Sequence, residues 1–324
     1  MTEINPEGFQ YEEIVPNPPD SSRPKEEIKI YMIRQNEWGK HVTKQFTPNE
    51  ESRWDNVVSV GNISEADYLV FISTPSVMPH VMPEKTLWFI GEPTEFGFCK
   101  HFWASIPEGA HKYPIEDCGM PAFWHILKNY DYLKNNDFPE KTKDLSWVTT
   151  KFGDGTEPPG CQVLSGHKLR ADFLKKMIDR HPDKFDLYGR KLLSYFRPGN
   201  FKHFGGELAD KWDGMKDYRY SIGIENSSQR NYFTGKFNDA ILSGCMPIYW
   251  GCKNIGELFP KGSYVWLDIE KDDAPERVLE IIQSDYREKH LDELREAKEL
   301  ILEHYNMWAQ IAKRVNEVDA KRKL

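Results

Sequence analysis

Four groups of residues have the types and spacing to do chemistry. Glu225-Asn226-Ser227 closes a short apolar run, and Tyr232-Phe233-Thr234-Gly235-Lys236 follows a few residues later. Thr234 suits the N-cap of a helix that opens at Gly235. The free N–H groups and partial positive charge of such an opening, joined by the full charge of Lys236, are what a diphosphate needs. The stretch is not a Walker A loop, because its first glycine is missing and no Ser or Thr follows the lysine. Arg170, early in another helical stretch, can grip a phosphate through two parallel hydrogen bonds and share a diphosphate with Lys236. Glu92, in Gly91-Glu92-Pro93 directly after the apolar run TLWFI, sits where partial burial raises a carboxylate toward general-base duty. Alone, each has a plainer reading: a surface lysine, a solvated helix arginine, a turn carboxylate.

These residues need elements to hold them. EIKIYMI (27–33), ADYLVFIS (66–73) and TLWFIGE (86–92) read as strands of a first α/β layer. Residues 135–159 are polar and rich in breakers, as expected of an interdomain linker. Beyond it, CQVLS (161–165), the helical HKLRADFLKKMIDR with an apolar face of Leu169, Phe173, Leu174, Met177 and Ile178, and KFDLYG (184–189) form a βαβ unit. A second unit runs from YRYSIGIE (218–225) through the helix GKFNDAILS, ended by Gly244, to MPIYW (246–250). YVWLDI (264–269) reads as a strand, 274–284 as a helix, and 285–324 as a long amphipathic helix, broken at most once. Its apolar stripe is expected to pack on the protein's own domains; the closing KRKL suggests a membrane surface as the alternative. The expected architecture is two α/β domains facing across a cleft, with ligands at the carboxyl ends of the strands. The boundaries are an extended or disordered lead (1–25), a first domain (26–155), a second domain (156–284) and the C-terminal helix (285–324).

Composition narrows the function classes. Forty-three Lys and Arg against 51 Asp and Glu give a net charge of −8, which argues against nucleic acid as main partner. No run approaches the roughly 18 apolar residues of a membrane helix, and the acidic, Pro-rich start is no signal peptide. The natural expectation is a cytoplasmic enzyme of bacterial or viral type, or else a soluble fragment of a membrane-anchored Golgi-type one. The five cysteines show no C-x-x-C spacing and read as buried thiols; the scattered histidines suggest no metal site.

The stretch YRYSIGIENSSQRNYFTGKFNDAILSGCMPIYWGCKNIGELFP resembles the signature of glycosyltransferase family 10, the α-1,3/1,4-fucosyltransferases. The resemblance rests on the ENS triplet, a Y-x-T-x-K opening a helix, P-I-Y-W-G, and a downstream F-P-x-G-S-Y, all at agreeing spacings. It covers 218 to about 269, with weaker agreement through VLSGHKLRADF and the Gly-Glu-Pro element.

That resemblance implies two Rossmann-like domains in the GT-B arrangement, GDP-fucose on the C-terminal one, a glycan acceptor on the N-terminal one, and an inverting single displacement. It places Glu92 as general base, Arg170 and Lys236 on the diphosphate, and Asn226 and Tyr232 at donor-contacting positions. Glu225, Ser227, Thr234 and Gly235 belong to the same donor block. The acceptor-side expectation falls on the ring-dense stretch after Glu92, namely Glu95, Phe96, Phe98 and Trp103; Trp124 and His125 come later. Core packing is the alternative for those rings. No Asp-x-Asp triplet occurs, so the expectation is transfer without a metal ion or other cofactor. One departure bears on the donor: the family has Glu where this chain has Gly235. That removes an expected hydrogen-bond acceptor near the sugar, at a cost of about 1.5–3 kcal/mol, unless Glu225 or Glu95 stands in. Two alternatives follow: a GT-B transferase using another nucleotide sugar, or a catalytically impaired relative that only binds one.

Overall fold

The computed structural model describes residues 26–34, 37–39, 41–72, 81–93, 104, 106–115, 123–150, 166–194 and 201–323. The first sheet is built from β1 (Ile28–Arg34), β2 (Glu37–Trp38), β3 (Arg53–Trp54), β4 (Val57–Ser59), β5 (Tyr68–Ile72), β6 (Thr86–Ile90) and β7 (His111–Pro114). Its order is β3-β4-β1-β5-β6-β7, with β2 paired to β1. β4, β1, β5, β6 and β7 run parallel; β2 and β3 are antiparallel additions. All five residues of β6 are buried, as a parallel strand covered on both faces requires. The chain therefore arrives at Glu92 straight from a rigid strand.

The second sheet contains β8 (Lys143–Val148), β9 (Asp186–Tyr188), β10 (Phe204–Gly206), β11 (Tyr218–Ile224), β12 (Met246–Trp250) and β13 (Val265–Trp266), all parallel. Its order is β10-β9-β8-β11-β12-β13, so the winding reverses between β8 and β11. That reversal opens a crevice at the carboxyl ends of these two strands, the place where doubly wound sheets bind ligands.

β8 corrects the expected linker. The stretch 135–159 carries, in its described part, a strand at the middle of the second sheet, whose Leu145, Ser146 and Trp147 are buried. The second sheet thus begins at Lys143, not after 155. Breakers on both sides of a six-residue strand outweighed its own apolar residues in the sequence pattern. The expected strand 161–165 and the lead 1–25 lie outside the described residues.

The expected helices are present as α2 (Gly166–Arg180), α3 (Gly235–Leu242) and α5 (Ala274–Gln283); shorter ones are α1 (Tyr130–Asn135), α4 (Ile255–Leu258) and α6 (Tyr286–Lys289). Residues 285–324, expected as one helix with a single break, interrupt twice. After α6 come α7 (Leu291–Glu299), a wider turn Leu300–His304, and α8 (Met307–Arg322). Asn306 caps α8 through the Trp308 amide, and this cap turns the helix back onto the first sheet. There Asn306 Nδ2 donates to Phe46 O (2.9 Å), Trp308 Nε1 to Thr43 O (3.2 Å), and Tyr68 Oη to Asp319 (3.0 Å). Of the apolar stripe, Leu294, Ile301, Trp308, Ile311 and Val315 are fully buried in the protein's own core and Leu291 and Tyr305 half-buried, so the membrane-surface alternative falls. The result is the GT-B arrangement: two Rossmann-like sheets tied by a C-terminal helix that crosses between them. Among the described residues no helix is long and apolar enough to span a membrane.

Candidate functional site

A cavity of about 400 Å³ fills the crevice of the second sheet. Val148 to Thr150 after β8, Gly189 and Arg190 after β9, and Asn226 after β11 form its floor; the openings of α2 and α3 form its walls. Two helix N-termini thus converge on one space, each with a positive dipole end. Lys236 stands on the first turn of α3 and Arg170 one turn into α2, and both line the cavity. Lys211 and Arg190 extend the cationic lining, His167 adds an imidazole, and among the described residues Glu207 is the one carboxylate there, paired with Arg190 at 3.3 Å.

Each clamp residue is held by specific bonds. Arg170 is buried; it donates to Ile224 O (3.2 Å) and Asn226 Oδ1 (3.1 Å), and its other terminal nitrogen lies 2.8 Å from His167 Nδ1. His167 was not singled out in the sequence. Burial and then the charges of Arg170 and Lys236 push its pKa down to about 4, so the ring is neutral and can accept from Arg170. Its sequence signal is its place in the first turn of α2, three residues before Arg170 and so on the same face.

The close approach of α2 to β11 rests on Gly166. Its N–H donates to Asn226 O at 2.7 Å, and a Cβ there would lie 2.1 Å from the carbonyl oxygen of Glu225. Both atoms it would strike belong to the backbone, so Gly166→Ala must push helix and strand apart. We expect that variant to lose several degrees of Tm and most of its nucleotide affinity together, measured by thermal unfolding and calorimetry.

Glu225 lies beneath the cavity, fully buried, and organises the start of α3. Its carboxylate accepts from Thr234 N (2.8 Å), Thr234 Oγ1 (2.7 Å), Lys236 Nζ (3.3 Å) and Tyr249 Oη (3.4 Å). Thr234 Oγ1 in turn accepts from the Lys236 amide, the N-cap expected from the sequence. With these bonds made, Glu225 positions Lys236 and does not replace the missing carboxylate at 235. Burial lowers the lysine's pKa while Glu225 pulls the other way.

Two expected donor contacts are elsewhere. Tyr232 is fully buried and does not line the cavity; it donates its hydroxyl to Glu92 Oε2 at 3.0 Å. Ser227 is likewise fully buried, with its hydroxyl unpaired. Strand-end loops alternate inward and outward, and sequence alone does not show which residues turn away from a ligand. Asn226, Thr234 and Gly235 do line the cavity.

Glu92 is brought to this site from the first sheet by that Tyr232 bond. Burial raises its pKa, against the opposing pull of Lys236 and the Tyr232 hydrogen bond. Glu92 does not itself line the cavity, but it lies close enough to Lys236 for that charge to act on it, although 78 residues separate Glu92 from Arg170 in sequence. Glu95, Phe96, Phe98 and Trp103 lie outside the described residues. Cys245 and Cys252 are buried free thiols. Among the described residues no three His, Cys, Asp or Glu side chains cluster so as to hold a metal ion.

A family model described as glycosyltransferase family 10 (fucosyltransferase), C-terminal part, matches residues 161–322, half of the chain. The chain belongs to this family. A fucosyltransferase-like protein of Arabidopsis thaliana is 35% identical over 51 residues, 16% of this chain and 10% of that one. An α-(1,3)-fucosyltransferase B of Drosophila melanogaster is 29% identical over 103 residues, 31% and 22% of the two chains. The chain thus spans at most about a fifth of the length of these curated relatives. Among solved structures, an α1,3-fucosyltransferase aligns over 93% of this chain and 91% of its own, at 16% identity and a TM-score of 0.47. The family match contains both walls of the cavity, since α2 and α3 fall inside it; Glu92 lies outside it.

Proposed function

We propose that this protein transfers L-fucose from GDP-fucose to a hydroxyl of a glycan, forming an α-1,3 linkage to an N-acetylglucosamine or glucose residue. The observation that carries this reading is a dual-helix, Arg170–Lys236 anion cavity in a family 10 chain, with a buried carboxylate, Glu92, held behind it by Tyr232 within reach of the Lys236 charge.

In this reading GDP lies in the cavity with its diphosphate between the openings of α2 and α3. The fucose points toward Glu92. The ionised Glu92 takes the proton of the acceptor hydroxyl as that oxygen attacks the anomeric carbon. The bond from that carbon to the β-phosphate oxygen breaks, and the configuration inverts in this single displacement. Charge develops on the leaving GDP, and Arg170, Lys236 and two helix dipoles are already aimed at it. Those fixed positive charges do the work that a divalent ion does elsewhere, so transfer is expected to need no metal.

The test is GDP release from GDP-fucose, with and without N-acetyllactosamine-type and simpler acceptors, in EDTA. Acceptor-stimulated release in EDTA supports the proposal. Release only after adding a divalent cation overturns the metal-free part of it. Release from another GDP-sugar and not from GDP-fucose would instead assign a different donor, the reading that Gly235 favours.

A further inference from the structure

We propose that His125 is a donor-binding residue that contacts the sugar end of the nucleotide sugar, and that Gly235 is present to admit its ring. The proposal rests on the donor reading above and names a residue of that site. A Cβ on residue 235 would lie 2.1 Å from His125 Nδ1 and 2.8 Å from its Cε1. The imidazole therefore occupies the volume where a side chain of residue 235 would begin. Gly235 has no left-handed backbone angle to explain it, and in the first turn of α3 glycine is a poor helix former. Its absent side chain is what the local packing requires.

The ring is placed there deliberately by the second domain. Asn238 Nδ2 donates to Phe123 O (2.8 Å), the His125 amide donates to Asp239 Oδ1 (2.6 Å), and the Leu127 amide donates to Asp210 Oδ1 (2.9 Å). Three alternate residues of the 123–127 segment are thus each gripped by a side chain from beyond β10. Asn238 and Asp239 are fully buried in the helix that Gly235 opens. Asp239 also binds Lys211 Nζ at 3.0 Å, which fixes a second cavity residue beside the ring.

The ring stays accessible. The side chain of His125 is 50% exposed and lines the cavity with Thr234, Lys211 and Lys236. It enters from the segment leading out of the first domain, while the cations of the clamp stand on the helices of the second. The groups facing it are Asp239, Lys211, Lys236 and Arg34. Partial burial, more than Asp239 offsets, holds the imidazole below the usual histidine range. A neutral ring offers one N–H donor and one acceptor, the pair suited to sugar hydroxyls. In the family pattern a glutamate side chain at 235 would claim this same space; here a residue 110 positions earlier fills it.

The test compares GDP and GDP-fucose binding by calorimetry in the full chain and in His125→Ala, Gly235→Ala and the double variant. His125→Ala should weaken GDP-fucose about tenfold and GDP by less than about twofold, the loss of one contact to the sugar. Gly235→Ala should give the same selective loss, because its methyl displaces the ring. The double variant should be no worse than His125→Ala. Equal weakening of both ligands, or no change in their ratio, overturns the inference while leaving the donor reading intact. Failure of the native protein to bind GDP at all overturns both.

Discussion

Glu92→Gln should abolish transfer while leaving GDP bound. General-base catalysis by a positioned carboxylate is worth about 10²–10⁴ in rate, and Gln keeps the shape but cannot take the proton. In the proposed reading GDP sits in the cavity, which Glu92 does not line, so its calorimetric Kd should stay within about twofold. A variant that retains most of its rate would remove Glu92 from the base role. A variant that loses GDP affinity would show it to be a structural part of the nucleotide site.

The environment of Glu92 adds a second signature. Burial raises its pKa, so the base form is lost as pH falls through a value above that of an ordinary carboxylate. Tyr232 donates to the ionised form and opposes that rise. Tyr232→Phe should therefore move the acid limb of kcat upward in pH, without removing the base. The linkage to stability has the opposite sense from a salt-bridged carboxylate. A folded-state pKa above the unfolded one means that ionisation of Glu92 disfavours the fold, and that cost is present above the folded value. Glu92→Gln should raise Tm at neutral pH, with the gain fading as pH falls through the raised folded-state value and gone below the unfolded pKa, at about 4.3. Loss of activity with a gain in stability is the mark of a strained functional group.

The parts of this site that were legible in the sequence are those carried by local rules. Thr234 before Gly235 and Lys236 announced a capped helix, and that cap is present. The apolar run ending at Glu92 announced a buried strand with a carboxylate at its mouth, and β6 is one. What local rules cannot carry is which side of a loop a residue faces. Tyr232 and Ser227 sit in the same motif as Asn226 and Thr234, yet point into the protein. Long-range pairs were equally hidden. Gly235 stands out in sequence only as a departure from the family pattern and His125 not as its partner, and only the fold places one in the space left by the other. β8 was obscured for a different reason: its two core residues of large volume, Leu145 and Trp147, are flanked by Lys143 and Asp144 and by breakers on both sides. A central strand of a doubly wound sheet need only be as long as its neighbours, and short ones carry little pattern.

Lys236 carries the second large effect, and its variants separate binding from folding. Its ammonium pairs with the fully buried Glu225 at 3.3 Å, so Lys236→Met should do two things. It should weaken GDP by about ten- to a hundredfold, the worth of one charge-assisted bond to phosphate, about 1.5–3 kcal/mol. It should also lower Tm, because it leaves a buried carboxylate without its counter-ion, at a cost of up to about 3–5 kcal/mol. A critic can then attribute the lost binding to a damaged fold. Adding Glu225→Gln answers that objection. Gln keeps an acceptor oxygen for the Thr234 amide and can donate its NH2 to the Thr234 hydroxyl, and the double variant leaves neither Glu225 nor Lys236 as an unpaired buried charge. Its Tm should recover most of the way, while GDP affinity stays as low as in Lys236→Met. Recovery of GDP affinity together with Tm would mean that Lys236 merely neutralises Glu225, and the diphosphate clamp would then reduce to Arg170 and the two helix N-termini.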